Sequence, residues 1–131
     1  MSVRQHVYNV LNEASVTALL ASGAGGIHAG ASLTGSEFPR PFLVYRVGLE
    51  VSVLRGDDGD QRAEINVSVW AYDKPGSYKT IEQILEAVRA RFAAVETLRS
   101  RWLGNSEELA DDEQKAILKY GTFACSERVL A

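Results

Sequence analysis

From Leu43 onward apolar and polar residues alternate. Leu43, Tyr45, Val47, Leu49, Val51 and Val53 take the odd positions, with Arg46, Gly48, Glu50 and Ser52 between them. A period of two belongs to a strand that buries one face. After the polar break Gly56-Asp57-Asp58-Gly59-Asp60 the alternation resumes, with Ala63, Ile65, Val67, Val69 and Ala71 apolar and Arg62, Glu64, Asn66 and Ser68 polar. The two runs predict a β-hairpin. For both odd sets to share a face, the loop must have an odd length, and Asp57-Asp58-Gly59 suits a type I turn followed by a left-handed glycine. Pairing Gly56 with Asp60 then sets Val53 opposite Ala63, Val51 opposite Ile65, Leu49 opposite Val67, Val47 opposite Val69 and Arg46 opposite Trp70. Each large side chain buried this way contributes about 1.5 to 3 kcal/mol, so a one-residue slip is strongly disfavoured. The even face is mixed: Arg46, Glu50, Arg62 and Glu64 lie beside Phe42, Val44, Trp70 and Tyr72. Such a face suits contact with another protein, and a cation–π pair between Arg46 and Trp70 is expected there.

Either side of the hairpin the period changes. Ser2 and Gln5 have capping-box spacing, and Val3, Val7, Val10, Leu11 and Ala14 recur as on one face of a helix. Ser15 is placed to cap a further short turn with Val16, Leu19 and Leu20, ended by Gly23. Residues 22–41 are rich in Gly, Ala and Ser and predict a long surface loop with a short strand near Ile27, a loop whose length suits contact with a partner. Ser77 is placed to cap a second helix carrying Ile81, Ile84, Leu85, Val88 and Phe92 on one stripe. A shorter strand is expected over Thr97–Leu103, an acidic polar stretch over Asn105–Gln114, and a last strand over Ala116–Val129. The fold class predicted is α+β: an antiparallel sheet of about four strands in the order α-β-β-α-β-β, with two helices packed on one face and the whole of 1–131 forming one domain.

Composition narrows the function. At 131 residues the chain can bury a core without metal or disulfide, and its single cysteine, Cys125, has no internal partner. Fourteen basic residues against 17 acidic ones give no overall signature of a nucleic-acid binder. With no long apolar run and no basic-then-apolar start, the expectation is a protein kept in the cytoplasm and away from membranes.

The motifs that invite chemistry each lack a requirement. His6 and His28 have no Cys or carboxylate at zinc-ligand spacing. Asp57-Asp58-Gly59-Asp60 lacks the alternating ligands and distal Glu of a calcium loop. Gly23-Ala24-Gly25-Gly26 and Gly30 to Gly35 follow a helix, and no Lys follows, so they are not a phosphate loop. Cys125 falls in a predicted strand, which favours a buried thiol over a nucleophile. No Gly-x-Ser-x-Gly elbow occurs. The expectation is a non-enzyme without cofactors. Two charged features remain: Arg89, Arg91, Arg99 and Arg101, and the acidic run Glu107, Glu108, Asp111, Asp112 and Glu113. Each suits a solvated face, or opposite-sign patches that meet between neighbouring copies.

Ala14-Ser15-Val16-Thr17-Ala18-Leu19-Leu20, Ile27-His28, Pro39-Arg40-Pro41-Phe42-Leu43-Val44-Tyr45, Val67-Ser68-Val69-Trp70-Ala71-Tyr72 and Ser77-Tyr78-Lys79-Thr80 follow one another along the chain. In their order and spacing, over nearly its full length, the chain resembles the tail terminator, or tail completion, proteins of long-tailed bacteriophages. The resemblance implies a virion protein assembled in the host cytoplasm. Its copies form a ring, expected to be hexameric, that caps the tail tube, ends tube growth and meets the head connector or head-closure protein, with DNA passing through unbound. On chemistry alone, the acidic run is expected near the channel. Arg46, Trp70, the Asp57-Asp58-Gly59 tip and the 22–41 loop are expected to face neighbours. The alternatives are another neck component, or a small-molecule-binding domain or small enzyme with the Gly-rich loop as its lid.

Overall fold

The structure, a computed structural model, describes residues 3–30, 38–55, 60–96, 98–112 and 115–127, with the backbone alone for 49–55, 60–63 and 127. The first helix, α1, spans Val3–Leu11, and its buried Val7, Val10 and Leu11 stand three and four residues apart, which puts them on one stripe. A short helix, α2 (Ala14–Thr17), follows at once. Its cap is Glu13, whose carboxylate accepts from Ser15 N at 2.9 Å and from the Ser15 hydroxyl, rather than Ser15 itself. A 3-10 turn at Gly23–Gly26 leads into β1 (Ile27–Ala29), the short strand expected near Ile27.

The hairpin forms from β2 (Phe42–Arg55) and β3 (Asp60–Asp73). After it, α3 (Lys79–Ala94) buries Ile81, Ile84, Leu85, Val88 and Phe92, the predicted stripe, and Ser77 Oγ accepts from Lys79 N at 3.1 Å. The chain then makes β4 (Leu98–Asn105), β5 (Leu109–Asp111) and β6 (Ala116–Glu127).

The sheet is larger than expected and not wholly antiparallel. Its six strands run in the order β1-β2-β3-β6-β4, with β5 also paired to β6, and β1 is parallel to β2. Strands β4 and β5 share the outer edge of β6, β4 along its second half and β5 along its start. They act as one edge strand broken at Ser106–Glu108. Ser106 bridges the break: its N–H donates to Tyr120 O at 2.7 Å and its hydroxyl accepts from Tyr120 N at 3.0 Å.

The hairpin register also differs from the parity prediction. Val47 pairs with Val67 and Arg46 with Ser68, two residues from the expected positions, so the odd set keeps its face in this half. Between Val47 and Glu50 a bulge places one extra residue on β2, and beyond it Val51 pairs with Glu64 and Glu50 with Ile65. Gly48 sits in the bulge, where an added Cβ would stand 3.0 Å from the backbone oxygen of Asn66. A single inserted residue changes the parity of every later pair, which is why an argument assuming unbroken alternation fails there. Arg55 pairs with Asp60, not Gly56, and the expected tip Asp57-Asp58-Gly59 lies outside the described residues.

All three helices cover the odd-numbered face. Val7, Leu11, Val16, Leu43, Tyr45, Val67, Val69, Ile81, Ile84, Phe92, Phe123 and Cys125 belong to one buried cluster, with Phe92 and Phe123 stacked at 4.2 Å. The even face is not bare. Phe42, Val44, Tyr72, Ala116 and Leu118 form a second buried cluster, with Phe38, Trp70 and Leu109 packed against it. The expectation of a face left wholly to a partner is corrected: its aromatic end is roofed from within the chain. Tyr78 Oη donates to Leu109 O at 2.7 Å, and Arg40 Nη1 donates to Lys115 O at 2.6 Å, so β5 and the turn after it are tied to more distant segments.

Candidate interaction surface

Two aromatic stacks organise the even face. Across the strands, Trp70 lies opposite Tyr120 and stacks on it at 4.2 Å, and its indole N–H donates to Ser68 Oγ at 3.0 Å. Arg46 is opposite Ser68, diagonal to Trp70, and its Cζ is 5.4 Å from the ring centroid. The expected cation–π pair therefore forms along the diagonal rather than straight across. The second stack closes the aromatic end. His28 stacks on Phe38 at 3.9 Å and meets Phe42 edge-on, while Phe42 stacks on Tyr72 at 4.8 Å. Burial lowers the His28 pKa and raises that of Tyr72, in each case favouring the neutral ring.

The acidic run is spread along the opposite edge of the sheet from Arg46. Glu107 and Glu108 are exposed in the break between β4 and β5, Asp111 ends β5, Asp112 is exposed just after it, and Glu113 lies outside the described residues. The structure thus brings Arg46 and Trp70 together, with β3 and β6 between the strand of Arg46 and the acidic residues and β6 between the strand of Trp70 and them.

Pattern reading missed a third feature on that edge. Trp102 and Leu103, 39% and 49% exposed, are the exposed large apolar residues among those described. Arg89 of α3 lies over Trp102 with its Cζ 3.6 Å from the centroid. A bulge between Trp102 and Gly104 turns the strand here, and Gly104 has φ +140°, which favours glycine. The signal was present: two large apolar residues in succession break the period of two, and a glycine follows them.

At the other edge, Arg4, Ala29, Gly30, Arg46 and Val47 line an open cleft of about 500 Å³, where β1 stops pairing with β2. A smaller hollow of about 250 Å³ lies among Glu64, Arg99, Ser100, Arg101, Ala124 and Ser126, with Arg101 Nη2 3.6 Å from Glu64 Oε2. Among the described residues no three of His, Cys, Asp and Glu gather as metal ligands would, and no helix is long and apolar enough to cross a membrane. Burial pushes the Cys125 thiol up to about 12, with Glu64 adding to the rise, so the sulfur is a poor nucleophile.

No family model and no curated protein matches the chain. Its fold is similar to that of a chain in a solved structure described as "Virion of native gene transfer agent (GTA) particle", with a TM-score of 0.58 over 97% of this chain and 96% of that one, at 15% identity. At that identity the likeness is one of fold.

Proposed function

We propose that the chain is a structural virion protein whose copies form a ring, a hexamer by resemblance, that caps the tail tube, ends its polymerisation and meets the head connector. The observation that carries this reading is the end-to-end fold correspondence with a chain of a gene transfer agent virion, covering 97% of one chain and 96% of the other. A match covering nearly all of both chains concerns the whole subunit and not a shared fragment. The sequence resemblance to tail terminators along nearly the whole chain supports the same reading. So does a surface that pairs exposed Trp102 and Leu103 with charged rims, because aromatic and arginine residues are enriched where proteins meet.

In this role the protein is not an enzyme and needs no cofactor. The 14-to-17 balance of basic and acidic residues suits a ring through which DNA slides, since many phosphate contacts would hold the duplex. Negative-stain imaging of the purified protein mixed with assembled tail tubes tests the reading. Rings seated at one end of each tube are expected; tubes left bare at saturating protein would overturn it.

A further inference from the structure

Strand β4 is flanked by two hollows of about 250 Å³ each, and both are lined by Arg99 and Ser100. One lies on the face away from the helices, among Glu64, Arg101, Ala124 and Ser126. The other lies on the helix side, among Phe92, Ala93, Val95, Glu96 and Leu98. Strand register explains the division. Arg99 and Arg101 are opposite Ser126 and Ala124, whereas Ser100 and Trp102 are opposite Cys125 and Phe123 of the helix-side cluster. Among the described residues nothing pairs with the outer edge of β4, and such an edge presents unmatched N–H and C=O groups as a template for another strand. The two sides of that edge differ in charge. On the outer side two guanidiniums, Arg99 and Arg101, meet one carboxylate. Arg101 Nη2 is 3.6 Å from Glu64 Oε2, yet the arginine side chain is 69% exposed against 18% for the glutamate, so Arg101 keeps room for a second carboxylate. On the helix side the balance reverses. Glu86 on α3 and Glu96 just after it are both exposed, and the carbonyl end of the helix adds partial negative charge. The cations there are already engaged: Arg89 lies over Trp102 at 3.6 Å, and Arg91 is 3.6 Å from Glu13.

We infer that the β4 edge receives an extended segment of another protein in which carboxylate and apolar side chains alternate. Successive side chains of a strand point to opposite faces, and a strand added here lies about 4.8 Å from β4. Every second residue of the segment therefore comes beside Arg99 and Arg101. The residues between them turn to the helix side, onto the hollow walled by Phe92, Val95 and Leu98, and exposed Trp102 and Leu103 continue that apolar track. Carboxylates are matched on the outer side and opposed on the helix side, which fixes the face the segment presents. Glu107 and Glu108, exposed beyond the end of β4, oppose further carboxylates and confine the contact to the stretch from Arg99 to Leu103. The acidic stretch of a second copy does not supply such a segment, because Leu109, its large apolar residue, is already packed in the second cluster. The inference does not rest on the capping role: it concerns what the edge holds, not whether the protein closes a tube.

Fluorescence anisotropy with a labelled synthetic peptide of alternating Glu and Ile, flanked by Gly and Ser, tests this, with a peptide of alternating Lys and Ile as its counterpart. The Glu peptide should bind saturably and about tenfold more tightly than the Lys peptide, since one sign of charge is matched at Arg99 and Arg101 and the other opposed. Arg99→Ala and Arg101→Ala should each weaken it about threefold, as expected for exposed ion pairs. Arg4→Ala, at the opposite edge of the sheet, should leave it unchanged, and circular dichroism checks that all three variants keep the fold. Hydrogen exchange of the β4 amides should slow when the Glu peptide is bound. Equal binding of the two peptides, no binding of either, or unaltered affinity in both β4 arginine variants would overturn the inference. So would slowed β4 exchange on raising the protein concentration without peptide, which would give the edge to a second copy.

Discussion

The Arg89 guanidinium carbon lies 3.6 Å from the centroid of the Trp102 ring, and the indole N–H donates to Asn105 Oδ1 at 3.2 Å. Helix α3 thus holds one face of the ring while the strand holds its polar edge. Asn105 has room for this because it lies opposite Gly121, where an added Cβ would stand 2.8 Å from Asn105 Oδ1. An exposed tryptophan fixed in one pose loses little freedom on meeting a partner.

Removing the arginine should release the ring. In a Trp70→Phe background, which leaves Trp102 as the sole tryptophan, Arg89→Ala is expected to shift the emission to the red and raise iodide quenching. The cost in stability is about 0.5 to 1 kcal/mol, the worth of a cation–π contact at an exposed site. Unchanged emission and quenching would show that the stack does not hold the indole.

Gly48→Ala tests the bulge that sets the hairpin register. The new Cβ would meet the Asn66 backbone oxygen at 3.0 Å, and a backbone atom cannot swing aside as a side-chain tip can. The strain of overpacking outweighs the entropy gained by losing a glycine, leaving a net loss of about 1 kcal/mol in urea unfolding. Gly25→Ala is the control: its nearest neighbour would be 3.7 Å away, and a change within about 0.5 kcal/mol is expected.

Cys125 predicts a loss of stability on the alkaline side. Its folded pKa is raised to about 12, against about 8.5 for a free thiol, so above pH 8.5 the unfolded chain releases a proton that the folded chain keeps. Stability therefore falls as pH rises from about 8.5 towards 12, with a slope approaching about 1.4 kcal/mol per pH unit from this group. Urea midpoints measured between pH 8 and 10 should decline, and Cys125→Ala should flatten the decline. Equal slopes in the two proteins would show that the thiol ionises as readily folded as unfolded.

Local periodicity made much of this legible. The stripe Ile81, Ile84, Leu85, Val88 and Phe92 required a helix, and the odd-numbered apolar residues from Leu43 to Val47 and from Val67 to Ala71 required strands facing the helices. Unbroken alternation treats Gly48 as one more position on the polar side. A lone glycine inside a strand is a sign of a bulge, and giving it that weight would have corrected the register. The pairing of β3 with β6 and the parallel pairing of β1 with β2 join segments far apart in sequence or connected by a crossover, and neither leaves a local period to detect. Phe42, Val44 and Tyr72 were expected to face a partner because they share a face with Arg46 and Glu50. Their burial depends on Phe38, Leu109 and Leu118 arriving from elsewhere in the chain.

The cation–π contact between Arg46 and Trp70 was legible from residue chemistry, although the register puts it on the diagonal and not straight across. Trp102 and Leu103 break the period of two, which marks an irregular strand but not an exposed patch. What sets them apart is exposure on an edge, and the edge is set by strand order, which no single segment encodes.

Tail length in particles assembled without this protein tests the central claim most directly. A cap that ends polymerisation predicts tubes that overrun their normal length and vary widely from particle to particle when imaged by electron microscopy, with wild-type length restored when the protein is supplied. Tails of normal, uniform length in its absence would contradict the account.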